Sequence, residues 1–119
     1  KIEQIGIRSG EKHEFEWMES HKTYLREKTE ACNAFKKMEN IPVFITVDVD
    51  VLDPSLMSGT GTPEAGGLTF NEFMGWLLLF KNLNIVGADV VELSPHYDTS
   101  GVSTATAAKI IREILLLNG

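Results

Sequence analysis

The sequence predicts an α/β fold built on parallel strands, and three observations carry that prediction. Two β-branched apolar runs, Val43 to about Val49 and Ile85–Leu93, read as buried strands. Stretches with helical spacing of apolar residues stand before, between and after them, so strand and helix alternate along the chain. Such alternation implies parallel pairing through right-handed crossovers. At 119 residues there is room for one domain at most.

Ile2–Arg8 (IEQIGIR) alternates enough to read as a first strand, ended by Ser9-Gly10. From Glu11 to about Tyr24 the spacing of Phe15, Met18, Lys22 and Leu25 describes a helix face, acidic at its start as the helix dipole prefers. Lys22–Leu25 reads alternatively as a short strand. A second helix runs to Met38 with Cys32 and Phe35 turned inward, and Asn40-Ile41-Pro42 breaks it. Asp53 to Leu68 has no periodicity and holds Pro54, Gly59, Gly61, Pro63, Gly66 and Gly67. An irregular loop of that length in a compact domain is usually functional or disordered.

Thr69-Phe70-Asn71-Glu72 is a capping box, in which hydroxyl and carboxylate each satisfy a free backbone N–H. The helix that follows carries Phe70, Phe73, Met74, Leu77 and Leu78 on one face, and Trp76, Leu79 and Phe80 on a second. A helix apolar on two sides is covered twice, and another subunit is one candidate cover, so a homo-oligomer is expected. The strand Ile85–Leu93 closes at Ser94-Pro95. Ser103 to about Leu117 forms the last helix, ending at Asn118-Gly119.

Composition narrows the function classes. With 43% hydrophobic residues the chain is neither a disordered acidic tail nor, lacking ~18 consecutive apolar residues, a membrane span. A single cysteine, Cys32, excludes a disulfide framework and fits a reducing compartment, hence the cytoplasm; it reads as a small buried hydrophobe. A net charge of −6 argues against a nucleic-acid partner. Lys1 stands directly in an apolar run, which suggests a piece of a longer protein. No internal repeat or signal peptide is visible.

The charge is uneven. Residues 1–40 balance eight bases against eight acids, whereas residues 41–119 hold three bases and nine acids. Apart from Glu72 and Glu113 in helical patterns, the acids of that second part are Asp48, Asp50, Asp53, Glu64, Asp89, Glu92 and Asp98. All seven lie on or beside strands and loops, where unpaired carboxylates call for a cation. A solvated acidic surface is the alternative.

Asp48 and Asp50 are two apart at a strand end, so strand geometry aims both to one face, at the edge where parallel sheets hold ligands. Two carboxylates so placed repel unless a metal or proton lies between them. An EF-hand loop is excluded by Leu52 and Asp53, and a phosphatase D-x-D-x-T by Leu52. Glu92 ends the next strand, on the same rim if the strands are neighbours. It is either a third metal ligand or the partner of a cationic substrate, since a carboxylate accepts two parallel bonds from a guanidinium. Asp89, facing the other way, reads as supporting or structural.

The segment Thr46-Val47-Asp48-Val49-Asp50-Val51-Leu52-Asp53-Pro54, followed by Gly59-Thr60-Gly61-Thr62-Pro63-Glu64-Ala65-Gly66-Gly67-Leu68-Thr69, resembles the third signature of the ureohydrolases, the arginase and agmatinase enzymes. Gly87-Ala88-Asp89-Val90-Val91-Glu92-Leu93-Ser94-Pro95, with Tyr97-Asp98, resembles the family's last strand, most closely in its agmatinase branch. Gly6-Ile7-Arg8 also has a family counterpart. Ser58 departs from the usual proline. The resemblance implies the C-terminal part, residues 1–119, of a single arginase-like domain, a three-layer α-β-α arrangement around a parallel sheet. It implies that Asp48 bridges two Mn²⁺ ions, that Asp50 binds one of them, and that Glu92 holds a substrate guanidinium. It also implies that Thr62 lines the site and that His96, just past the substrate-binding carboxylate of Glu92, touches substrate.

The reaction so implied hydrolyses a small guanidino compound, agmatine foremost, to urea and an amine. Guanidinobutyrase, arginase and formimidoylglutamase are alternatives. The family's upstream ligand segments, G-G-D-H and D-A-H-x-D, are not in this sequence, and a family strand from that region separates the first strand from the Asp48 strand. A catalytically silent fragment or pseudo-enzyme acting in assembly is therefore the competing expectation. His13 and His21, without partners at metal-site spacing, read as ordinary surface or packing residues.

Overall fold

Parallel pairing of β3 (Pro42–Asp48) with β4 (Asn84–Val91) organises the chain, in register from Pro42 opposite Asn84 to Asp48 opposite Val91, with one irregularity at Val43/Phe44. The computed structural model describes residues 1–38 and 40–117. The other elements are β1 (Gln4–Ile5), α1 (Lys12–His21), β2 (Tyr24–Leu25), α2 (Lys28–Lys36), α3 (Phe70–Leu77) and α4 (Val102–Leu117). The fold is α/β with parallel strands, as the sequence predicts.

β3 reads from the sequence as a buried strand and is buried on one face. Val43, Ile45 and Val47 turn inward, whereas Phe44 on the opposite face is 61% exposed. The physical reason is that Ala31 and Phe35 of α2, Phe73 and Leu77 of α3, and Ala107, Ile110 and Ile114 of α4 all join the core on the inward face. β4 likewise has no fully buried residue. The opposite sheet face is open among the described residues.

The first strand contracts to two residues, and the alternative reading of Lys22–Leu25 holds in part. α1 stops where Lys22 adopts a left-handed φ of 52°, after which Tyr24–Leu25 pairs in parallel with Gln4–Ile5. This small sheet does not join the larger one. A groove of about 920 Å³ separates them, bordered by Ile5, Ile45 and Val47 and floored by Trp76, Leu77 and Phe80. It stands between the same two strands that the resemblance separates by a further one. At the rim the two sheets do touch: Gly6 has φ +75°, and a Cβ there would come within 2.5 Å of Val51 Cγ2.

Each of the first three helices opens on a carboxylate that accepts from backbone N–H groups: Glu14 takes the N–H of Glu11, Glu30 that of Glu27, and Glu72 that of Thr69. α3 tightens into a 3₁₀ turn at Leu78–Asn82, which ends it earlier than the expected Phe80 and turns Leu78 to solvent. The second apolar side of this helix is taken up within the chain, since Trp76, Leu79 and Phe80 pack on the core and Phe80 lies 4.7 Å from Phe35, ring to ring. Cys32 is exposed rather than buried. Ala31 and Phe35, four apart, define the inward stripe of α2, and a residue one step around the helix points away from it. The helix stop at Asn118-Gly119 lies outside the described residues. No helix among the described residues is long and apolar enough to cross a membrane.

The Thr69 hydroxyl accepts from the Glu72 N–H and donates to the Glu72 carboxylate. Thr69→Ala in the intact protein should therefore lower stability by about 1 kcal/mol, measured by urea denaturation, without disturbing the rim acids.

Candidate active site

β3 ends at Asp48, whose carboxylate caps the 3₁₀ turn Val49–Val51 by accepting the Asp50 N–H at 3.0 Å. Asp50 therefore sits on a turn, and not on a continued strand as the two-residue spacing suggested. The turn nonetheless keeps it beside Asp48. Thr62, twelve residues along the loop, donates its hydroxyl to Asp50 Oδ2 at 2.8 Å. β4 stops at Val91, opposite Asp48, and Glu92 follows in a left-handed conformation with φ 65°. That conformation is costly for a side chain with a Cβ, and such outliers cluster at functional sites.

Asp48 feels both of the other acids. Burial raises its pKa above the ordinary value, and the negative charges of Asp50 and Glu92 push it the same way, against the lowering effect of the Asp50 N–H. Asp48 keeps solvent contact, so the burial that matters is the protein packed around the strand end. Like charges held together favour a cation between them.

Three of the other acids of the charged region, Asp53, Asp98 and Glu64, are satisfied internally, which corrects the expectation that they too call for a cation, whereas Asp89 lies exposed on β4. Asp53 accepts from the N–H and hydroxyl of Ser55 and from the Gly66 N–H, and these bonds hold its pKa down. It latches the base of the loop, where Leu52 and Leu68 form a parallel bridge and Met57 is fully buried. Gly67 is required there, because a Cβ would stand 2.4 Å from the backbone of Leu52 and Asp53. Asp98 accepts from the hydroxyl and N–H of Ser100 and from the Ser103 N–H at 2.7 Å, which depresses its pKa strongly. Ser103 in turn accepts the Gly59 N–H, and Ser94 donates its N–H to the Gly59 carbonyl, fastening the loop to the end of β4 and the start of α4. Glu64 accepts from the Ser9 hydroxyl.

Arg8 is the residue whose local role sequence reasoning missed. Its guanidinium donates to the carbonyls of Asp50 at 2.7 Å, Val51 at 2.8 Å and Glu64 at 3.2 Å. An arginine after an apolar strand carries no sign that its partners will be backbone oxygens 42 to 56 residues away.

The remaining candidates stand apart. His96 lies in the turn Pro95–Tyr97 with its ring 4.0 Å from that of Tyr97, and has no hydrogen bond to the three acids. His13 pairs with Glu11, and His21 stacks on Trp17, both at the surface. Among the described residues no group of three or more His, Cys, Asp or Glu could by itself hold a metal, so Glu92 does not complete a three-ligand set with Asp48 and Asp50. The aspartate pair suits a hard divalent cation as part of a ligand set.

The profile of the Arginase family matches residues 1–117. The chain belongs to the arginase family. An agmatinase of Bacillus anthracis is 43% identical over 122 residues, an alignment that spans 97% of this chain and 41% of that protein. A Clostridium difficile crystal structure described as a candidate agmatinase superposes with TM-score 0.87 at 46% identity, over 98% of this chain and 44% of that one. An arginase from Medicago truncatula superposes at 0.72 with 34% identity, over 95% and 38% of the two chains. The chain thus spans about two fifths of the length of the curated relatives that match nearly all of it. The matched relatives carry more chain than is present here.

The Asp98 network sets a pH dependence. A carboxylate with a depressed folded-state pKa stabilises the fold above its unfolded pKa of ~3.9, and that contribution fades as pH falls through the lower folded value. The intact protein should exceed Asp98→Asn in thermal stability at pH 7, and the difference should narrow below pH ~4, read from melting curves across that range.

Proposed function

We propose that this chain is the C-terminal part, residues 1–119, of the catalytic domain of a manganese-dependent ureohydrolase, which cleaves agmatine to putrescine and urea. The observation that carries the reading is the rim where Asp48, Asp50 and Glu92 meet at the ends of β3 and β4, close enough for the neighbouring charges to raise the Asp48 pKa. The agmatinase names of its relatives support the substrate.

In this reading Asp48 and Asp50 hold two Mn²⁺ ions together with ligands from outside this chain. When bound, the ions supply Lewis acidity that brings the pKa of a water towards neutrality. Thr62 anchors Asp50 through its hydroxyl and borders the bound substrate. Glu92 receives the guanidinium through two parallel charge-assisted hydrogen bonds, which fix the plane of the group and the position of its carbon. Its left-handed backbone, with φ 65°, follows directly on the end of β4. His96, on the turn after Glu92, borders the substrate. The protein acts in the cytoplasm as a homo-oligomer, in polyamine synthesis.

The test uses the intact protein with Mn²⁺ and measures urea release from agmatine. Asp48→Ala should lose about 100-fold or more, because residues that merely support metal ligands already cost ~10–100-fold. Glu92→Gln should lower kcat/KM by roughly 10-fold or more, the worth of a charged hydrogen bond. Wild-type rates in both variants would refute the assignment. An intact protein that binds no Mn²⁺ and releases no urea would favour the silent assembly role. A panel of arginine, guanidinobutyrate and formimidoylglutamate separates agmatine from the other substrates.

A further inference from the structure

Arg8 is a full positive charge at the end of β1, partly buried, that makes no ion pair among the described residues. All three of its hydrogen bonds go to backbone carbonyls, those of Asp50, Val51 and Glu64, and its Nε–H is buried without an acceptor. Carbonyl groups are weaker partners than the carboxylates nearby, so charge pairing does not explain the arrangement. The geometry of the fork does. Two guanidinium nitrogens reach two successive carbonyls, and the plane of the group then sets the orientation of the Asp50–Val51 peptide.

The consequences fall on the rim. Asp50 follows Asp48 by two residues on a three-residue 3₁₀ turn, an element too short to be rigid by itself. The Asp48 carboxylate accepts the Asp50 N–H, and Arg8 takes the Asp50 carbonyl, so Asp50 is held from both of its peptide groups. The third bond, to the Glu64 carbonyl, and the adjacent Ser9–Glu64 contact fasten the part of the loop two residues beyond Thr62, whose hydroxyl grips the Asp50 side chain. Gly6, without a Cβ, lets β1 approach Val51 closely enough for this reach.

We infer that Arg8 is a positioning residue for the metal-binding turn: through the carbonyls of Asp50, Val51 and Glu64 it presets the Asp50 carboxylate and the Thr62 loop for Mn²⁺. The inference rests on the proposed manganese chemistry. Arg8 bonds the backbone carbonyls rather than the carboxylates of the rim, and so acts through Asp50. Lysine cannot replace it, because a single ammonium on a flexible stem does not hold two carbonyls in one plane.

The experiment titrates Mn²⁺ into the metal-stripped intact protein by calorimetry, for wild type, Arg8→Lys and Arg8→Gln, with Thr69→Ala as a control that loses stability away from the rim. Arg8→Lys should fold and bind Mn²⁺ ~10–100-fold more weakly, the usual cost of removing support from a metal ligand. Its urea release should recover at saturating Mn²⁺, and Thr69→Ala should bind as wild type does. Wild-type Mn²⁺ affinity in both Arg8 variants would overturn the inference while leaving the manganese enzyme intact. Loss of the folded state in both, seen by circular dichroism, would overturn it too, by assigning Arg8 to the fold rather than the site. Failure of the wild type to bind Mn²⁺ would remove the manganese reading, and this inference with it.

Discussion

The parallel register of β3 and β4 is the constraint on which the rest depends. Pairing Asp48 with Val91 brings the ends of two strands that are distant in sequence to one rim, so that Asp48, Asp50 and Glu92 become neighbours. A slip of one residue would reverse the faces of β3, carrying Val43, Ile45 and Val47 out of the core. The apolar face therefore protects the register, and the register protects the site. Core packing and chemistry are read from the two sides of the same strand.

The acids around that rim divide into two kinds by their hydrogen-bond partners. Asp53 and Asp98 are saturated by serine hydroxyls and backbone N–H groups, which lower their pKa values and tie down the loop and the start of α4. Asp48 has one backbone donor and two acidic neighbours, and its pKa moves the other way. The first kind spends its charge on structure. The second has more like charge beside it than donors. The loop from Asp53 to Leu68 lacks periodicity yet is firmly held, since Met57 is buried and Gly59 is bonded to both Ser94 and Ser103.

The division between the two sheets is a further consequence of local sequence meeting tertiary distance. Among the described residues β1 and β2 pair only with each other, and the groove beside β3 is walled by apolar residues of both sheets over Trp76 and Leu77. The contact that bridges the gap is made by Arg8 and Gly6 at the rim end, where the 3₁₀ turn of Asp50 lies. The small sheet thus reaches the rim through Arg8 and Gly6, while Leu25 joins the core and Ile5 packs against it.

By itself the sequence determined the element types, the capping box at Thr69, the glycine-rich loop and the candidacy of Asp48, Asp50 and Glu92. These follow from short-range physics: periodicity, backbone preference and the rarity of unpaired acids at strand ends. Only the tertiary structure decided which acids are already satisfied, that Asp50 stands on a turn rather than a strand, that Glu92 takes a left-handed conformation, and that Arg8 reaches across to the Asp50 carbonyl. It also decided that Cys32 and Phe44 face outward, because burial depends on which face the helices cover. Hydrogen-bond partners and covered faces are long-range facts, set by packing between segments that no local pattern brings together.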